Sequence, residues 1–259
     1  MAMTAVERAQ FWAENTSFDE NTRAEAQRIL KDEQETLGCF GAELTFGTGG
    51  LRGILGVGTN RMNQYTVGRA TQGLADYLNR NGGKTVAIAY DSRLRSDEFA
   101  AIAAGLLAAN GLKAYIYPRL MPTPMLSYAV RHLGCDAGIV ITASHNPAQY
   151  NGYKVYGPDG CQITQEAAEA ITACIEKVQY GAAQAMAKEE AMRKGLWEEI
   201  SSEVVDAFVE KTIFLQKRCE FTKLSSQRKS FLTVFGVALL IRRGFPCVRP
   251  RRDRSVKGR

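Results

Sequence analysis

The chain is poor in the residues that most often assemble metal, redox and hydrolase centres. Six cysteines are scattered through 259 residues without a CxxC pair, and there are two histidines, His132 and His145. Cys39, Cys135, Cys161, Cys174, Cys219 and Cys247 therefore read most simply as small core residues carrying reduced thiols, in a cytoplasmic protein without a disulfide framework. No GxSxG elbow occurs, and His132 falls in a predicted helix, so a serine hydrolase is the weaker enzyme reading. The longest apolar run, Phe231 to Ile241, is shorter than the roughly 20 residues a membrane-spanning helix needs. No cationic, apolar and small-residue signal opens the chain, and the expectation is a protein without a membrane partner.

Acidic residues are scarce in one region only. Residues 217–259 hold 13 Lys/Arg against two Asp/Glu, a balance of +11, whereas residues 1–216 carry −5 within the overall +6. The basicity belongs to the end of the chain, where the rival reading is a nucleic-acid or anionic-lipid contact, though without aromatic interleaving.

The remaining pattern is that of a soluble α/β domain. Phe18 to Glu35, with Asp19 as N-cap, predicts a surface helix. Asn63 caps a helix over Gln64 to Arg80, which Asn81-Gly82-Gly83 stops; TVAIAY at Thr85 to Tyr90 predicts a buried strand. A helix from Ser96, a strand over Lys113 to Tyr117, a helix near Met125 to Leu133 and an apolar strand before Ser144 continue the alternation. A helix over Gln165 to Val178 follows, then a solvated helix or lid-like linker over residues 181–200, and a helical pattern over Ser201 to Gln216 with Val205, Phe208 and Val209 as its apolar stripe. This order predicts a three-layer α/β/α domain with a mostly parallel sheet, whose ligand sits beyond the carboxyl ends of the strands. Asp91 to Arg93 and Ser144 both fall there.

The densest gathering of chemical groups is TASHNPAQYNGYKVYGPDG, Thr142 to Gly160. Ser144, His145, Asn146, Asn151 and Lys154 lie within eleven residues on what reads as a loop at the sheet's edge, with Asn146-Pro147 forcing a turn. Gly152, Gly157 and Gly160 read as bare backbone that a ligand can approach. His145 adjoins Ser144, and neighbours on an extended segment point opposite ways, which disfavours it as a base for that serine. A second glycine-dense stretch, FGTGGLRGILGVGTNRMN at Phe46 to Asn63, sets Arg52 among bare backbone; it reads either as a hairpin or as an anion cradle.

These two stretches strongly resemble the phosphoserine loop and the amino-terminal active-site segment of the α-D-phosphohexomutases, the phosphoglucomutase and phosphomannomutase superfamily, in its phosphopentomutase-like branch. The resemblance runs from about Phe11 to about Phe214. It implies that Ser144 is carried as a phosphoserine that holds Mg²⁺ through a phosphoryl oxygen, with Lys154 as general acid/base, Arg52 as the active-site arginine and His145 flanking the phosphoserine. Arg52, Asn146, Asn151 and Arg93 are then the expected substrate- or phosphate-binding groups. The implied reaction moves phosphate between the anomeric and terminal positions of a sugar monophosphate, with a sugar bisphosphate as intermediate and activator.

The family's aspartate-rich DGDxDR-like metal loop, its GExS-like sugar loop and its carboxy-terminal phosphate loop have no counterpart in this chain. Magnesium is therefore expected to bind weakly, the substrate sugar is not chosen by any residue present, and the oligomeric state is unread. The expected organisation is a helical extension over 1–40, domain I over 41–200, the start of domain II over 201–216, and an atypical basic tail over 217–259 that reads as out of frame. A truncated mutase, with little turnover alone, competes with a noncatalytic phosphosugar-binding module and with a nucleic-acid contact through the tail.

Overall fold

The structure, a computed structural model, describes residues 3–221. Of the basic tail expected over 217–259, with its proposed nucleic-acid role, residues 222–259 lie outside the described residues. The chain divides after Val204 into two units, and all of the chemistry considered below belongs to the first.

Three short helices open it: α1 (Ala5–Glu14), α2 (Glu20–Ile29) and α3 (Glu33–Phe40). Thr4 and Glu7 form a reciprocal capping box that starts α1, and Asp19 accepts the Thr22 N–H at the start of α2. The single surface helix expected over Phe18 to Glu35 is two helices. Asp32 begins the second by accepting the Glu35 N–H, and Phe18 is buried, stacked on Trp12 with ring centroids 4.5 Å apart. Phe40, Tyr65 and Tyr180 also meet the Trp12 ring, so the extension is fixed to the domain by an aromatic cluster.

The domain is built on six strands: β1 (Leu51–Ile54), β2 (Thr85–Tyr90), β3 (Lys113–Ile116), β4 (Ala137–Ile141), β5 (Tyr150–Tyr156) and β6 (Trp197–Glu199). Their order in the sheet is β1-β5-β4-β2-β3-β6. The β4-β2-β3-β6 part is parallel, whereas β5 runs antiparallel to both β4 and β1. The sheet is mostly parallel, as expected, with an antiparallel margin on the side that carries Ser144.

Helices α4 (Gln64–Arg80), α5 (Ser96–Ala109), α6 (Thr123–Leu133) and α7 (Gln165–Ile175) cover it. Val86, Ile88, Ile139 and Ile141 join residues of α4, α5 and α7 in the main core, while a Cβ on Gly138 would run into Val130 and Leu126 of α6. Strand residues are thus buried on both faces, the signature of helices above and below a parallel sheet.

Two expectations fail here. Residues 150–156 are a strand rather than a loop; alternation of Tyr153 and Val155, both buried, with Gly152 and Lys154 is the period-two pattern of a sheet. Residues 181–200 are no solvated helix or free linker: α8 (Lys188–Arg193) leads into β6, which pairs with β3, and Ala191 and Trp197 are buried in the main core. Of the cysteines, Cys39, Cys135 and Cys174 are buried free thiols, but Cys161 is exposed. Helix α9 (Ser202–Phe221) ends the described part, with Val205, Phe208 and Val209 buried along one stripe.

Candidate active site

Strand β4 ends at Ile141, and the chain turns at Thr142 to Tyr150 before returning as β5. Ser144 stands exposed in this turn with φ of 56°, a left-handed conformation that costs a non-glycine residue roughly 1–2 kcal/mol. Its N–H donates to Thr142 Oγ1 at 2.9 Å, and the Asn146 N–H closes the turn on the Ala143 carbonyl at 3.1 Å. The segment around Ser144 is therefore not the extended one assumed from sequence.

The hydroxyl so presented meets one side chain. Lys154 Nζ donates to Ser144 Oγ at 2.9 Å, from the middle of β5. His145 is exposed next to the serine, but the ammonium and not the imidazole is the group bonded to it. Arg52 lies on β1 directly opposite Gly152, so Arg52 and Lys154 occupy one face of the β1–β5 pair, two register positions apart. Partial burial holds the Lys154 ammonium below the usual lysine range; the Arg52 charge adds to the shift and Asp91 opposes it.

Three sequence-predicted ligands are placed otherwise. Asn151 is fully buried, its Nδ2 donating to the Leu94 carbonyl and to Ser96 Oγ, its Oδ1 accepting from the Gly152 N–H. It has no group left for substrate. Arg93 donates to the carbonyls of Ser144, Asn146, Pro147 and Tyr150, and is consumed by the turn rather than offered to a phosphate. Asn146 gives its carbonyl to Arg93 and keeps one buried side-chain oxygen, Oδ1, without a partner. Two of the three loop glycines, Gly152 and Gly160, serve the fold, while a Cβ on Gly157 would meet only the Asp159 side chain. A Cβ on Gly152 would lie 2.6 Å from the Thr142 carbonyl oxygen and one on Gly160 2.6 Å from that of Ser127, so close packing and not ligand approach demands them.

Sequence reasoning missed Thr142, Asp91 as a network member, and Ser96. Asp91 Oδ1 accepts from the Arg93 N–H and from Ser96 Oγ, both at 3.0 Å. The D-x-R-x-x-S spacing after a buried strand was the available signal; Asp91 to Arg93 were read as part of the ligand site and Ser96 only as a helix start.

Among the described residues no three His, Cys, Asp or Glu side chains gather to hold a metal. Beside Ser144 the donor set is a hydroxyl already bonded to an ammonium, and the nearby Asp91 carboxylate is committed to Arg93 and Ser96. A hard divalent cation needs several free oxygen ligands, so these residues alone do not fit magnesium. A separate groove of about 650 Å³, lined in part by Trp12, Asp19, Tyr65 and Arg95, holds none of the predicted site residues. Its charged groups are paired, Asp19 with Tyr65 and Gln64, Arg95 with Glu98.

The family model described as phosphoglucomutase/phosphomannomutase, alpha/beta/alpha domain I, matches residues 43–182, more than half of the chain. The chain belongs to this family. Phosphoglucomutases from Staphylococcus aureus strains USA300 and bovine RF122 are each 48% identical to it over 140 residues, covering 54% of this chain and 25% of theirs. The chain thus matches a quarter of the length of these curated relatives. A solved structure of a putative phosphomannomutase from Thermus thermophilus superposes with a TM-score of 0.57 at 34% identity, over 66% of this chain and 36% of that one. A phosphoglucomutase/phosphomannomutase family protein from Burkholderia thailandensis, at 22% identity and a TM-score of 0.50, agrees in fold over 66% of this chain and 34% of that one. Within the family, the matched region is the first α/β/α domain, and it contains Arg52, Arg93, Ser144 and Lys154 together. No helix among the described residues is long and apolar enough to cross a membrane.

Proposed function

We propose that this chain carries the phosphoryl-transfer half of a sugar-phosphate mutase, with Ser144 as the phosphoryl carrier. The observation that carries the reading is the 2.9 Å hydrogen bond from Lys154 to an exposed serine hydroxyl held in a left-handed turn. In the forward step the P–Oγ bond of phosphorylated Ser144 breaks and a bond from phosphorus to a sugar hydroxyl oxygen forms, giving a sugar bisphosphate. Lys154 delivers its proton to the departing Oγ and takes the proton that the sugar hydroxyl gives up. Return of the other phosphate to Ser144 reverses these roles. The depressed affinity of Lys154 for its proton suits a group that must both give and take one. Arg52, exposed on the same sheet face, suits the phosphoryl oxygens, whose charge must be neutralised as they transfer.

No described residue is assigned the choice of sugar, and no three carboxylate, His or Cys side chains gather for a metal among the described residues. A sugar bisphosphate activator and a cytoplasmic setting complete the reading. The alternative, a noncatalytic phosphosugar-binding module, rests on the same cradle without transfer.

A coupled mutase assay with glucose 1-phosphate, Mg²⁺ and a trace of sugar bisphosphate decides between them. Turnover abolished by Ser144→Ala supports a complete mutase reaction. Phosphorylation of Ser144 without turnover leaves the transfer half alone. Tight bisphosphate binding with neither supports the binding module, and turnover that survives Ser144→Ala overturns the assignment of the carrier.

A further inference from the structure

Arg93 lies in the turn between β2 and α5, far from Ser144 in sequence, yet most of its donors are spent on the serine's turn. Nη1 donates to the carbonyls of Pro147 and Tyr150, each at 3.0 Å, and Nη2 to those of Ser144 at 2.8 Å and Asn146 at 2.6 Å. Nε faces Asp91 Oδ2 at 3.6 Å, and the side chain is 13% exposed. A guanidinium has five N–H donors in a planar fork; here four are spent on backbone carbonyls of the turn and the fifth faces the Asp91 carboxylate. The four carbonyls span both limbs of the turn, from Ser144 itself to the first residue of β5.

The anchor behind the fork is equally fixed. Asp91 accepts from Ser96 Oγ, Ser96 accepts from Asn151 Nδ2, and Ser96 and Asn151 are both fully buried. Asn151 belongs to β5, three residues before Lys154. One continuous set of hydrogen bonds therefore runs from the strand that carries Lys154, through Ser96 and Asp91, to Arg93 and on to the backbone of Ser144.

We infer that Arg93 is a positioning residue: it holds the Ser144 turn against the frame of β5, so that the serine hydroxyl stays on Lys154, and it does not bind substrate phosphate. The inference rests on the proposed role of Ser144 for its effect on rate, but the clamp itself is independent of that role. A lysine cannot replace the arginine, because three protons radiating from a single nitrogen cannot reach four carbonyls spread along two chain limbs.

The test compares the full chain with its Arg93→Lys and Arg93→Ala variants in three measurements: amide hydrogen exchange over residues 144–150, the rate of Ser144 phosphorylation by glucose 1,6-bisphosphate, and the Kd of that bisphosphate. Exchange of the Asn146 and Tyr150 amides, which bond within the turn, is expected to rise about tenfold in Arg93→Lys while β2 and β4 stay protected. Phosphorylation is expected to fall about a hundredfold, the penalty of a misplaced reacting group, with the Kd nearly unchanged. Added guanidinium ion should restore part of the rate to Arg93→Ala, a rescue that a general loss of stability would not show. Unchanged exchange in Arg93→Lys overturns the clamp. A loosened turn with an unchanged rate overturns the positioning role, and a Kd that weakens as much as the rate returns Arg93 to substrate binding. Should the unsubstituted chain accept no phosphoryl group, the proposed function fails, and exchange alone then supports or refutes the clamp.

Discussion

Arg52 and Lys154 share one face of the β1–β5 pair, Arg52 standing directly opposite Gly152, two residues before Lys154. Burial is the first cause of the lowered proton affinity of Lys154 and the Arg52 charge the second. Removing the charge while keeping the bulk, as in Arg52→Gln, is expected to raise the Lys154 pKa toward the ordinary lysine value without reaching it. Nitrogen-15 NMR of Lys154 Nζ checks this, and an unchanged titration would show that the two cations do not sense each other.

The same shift sets a sign for stability. Between the folded pKa of Lys154 and the ordinary lysine value, the unfolded chain binds more protons than the folded one. This group's contribution to stability therefore grows as pH rises through that window. Lys154→Met, which carries no titrating proton, is expected to flatten that part of the profile in urea unfolding measured across alkaline pH.

Gly152 has no room for a methyl group, because the atoms it would meet are the backbone oxygens of Thr142 and Leu51, at 2.6 and 2.9 Å. Gly152→Ala is expected to cost about 1–3 kcal/mol of stability by forcing β1 and the serine turn apart. Thermal unfolding measures it, and a neutral effect would mean that the three strands slide more freely than their register suggests.

Trp12 is 1% exposed and meets Phe18, Phe40, Tyr65 and Tyr180. Trp12→Ala is expected to destabilise the domain by about 3–5 kcal/mol, read from denaturant midpoints. A loss confined to the first 40 residues, with the sheet's amides still protected, would show that the extension folds as an appendage.

Much of this fold was legible because local signals agreed with the tertiary result. Asn63 caps α4 and Gln64–Arg80 is its full extent; TVAIAY is β2 from Thr85 to Tyr90. Helix α1 went unread although Thr4 and Glu7 spell a capping box. Strand β5 was hidden by its own chemistry: glycines and polar groups drew attention to a loop, while Tyr153 and Val155 marked the buried face. Strand β6 has three residues, too few for any period to show.

At the site, Ser144, Lys154 and Arg52 were singled out through the resemblance to family motifs, and the structure brings Lys154 to the Ser144 hydroxyl and sets Arg52 on the same sheet face. The roles of Arg93 and Asn151 were not legible, because their partners are mainly backbone atoms, which carry no sequence mark. Both residues hold the site in place, and the sequence distinguishes a holding arginine from a binding one only through the fold.

The most direct measurement is to expose the purified chain to glucose 1,6-bisphosphate and map the transferred phosphate by peptide mass spectrometry, beside Lys154→Met. The account predicts phosphate on Ser144, at a rate sharply reduced in the variant. Phosphate on another residue, or transfer to Ser144 at an undiminished rate without Lys154, would contradict it.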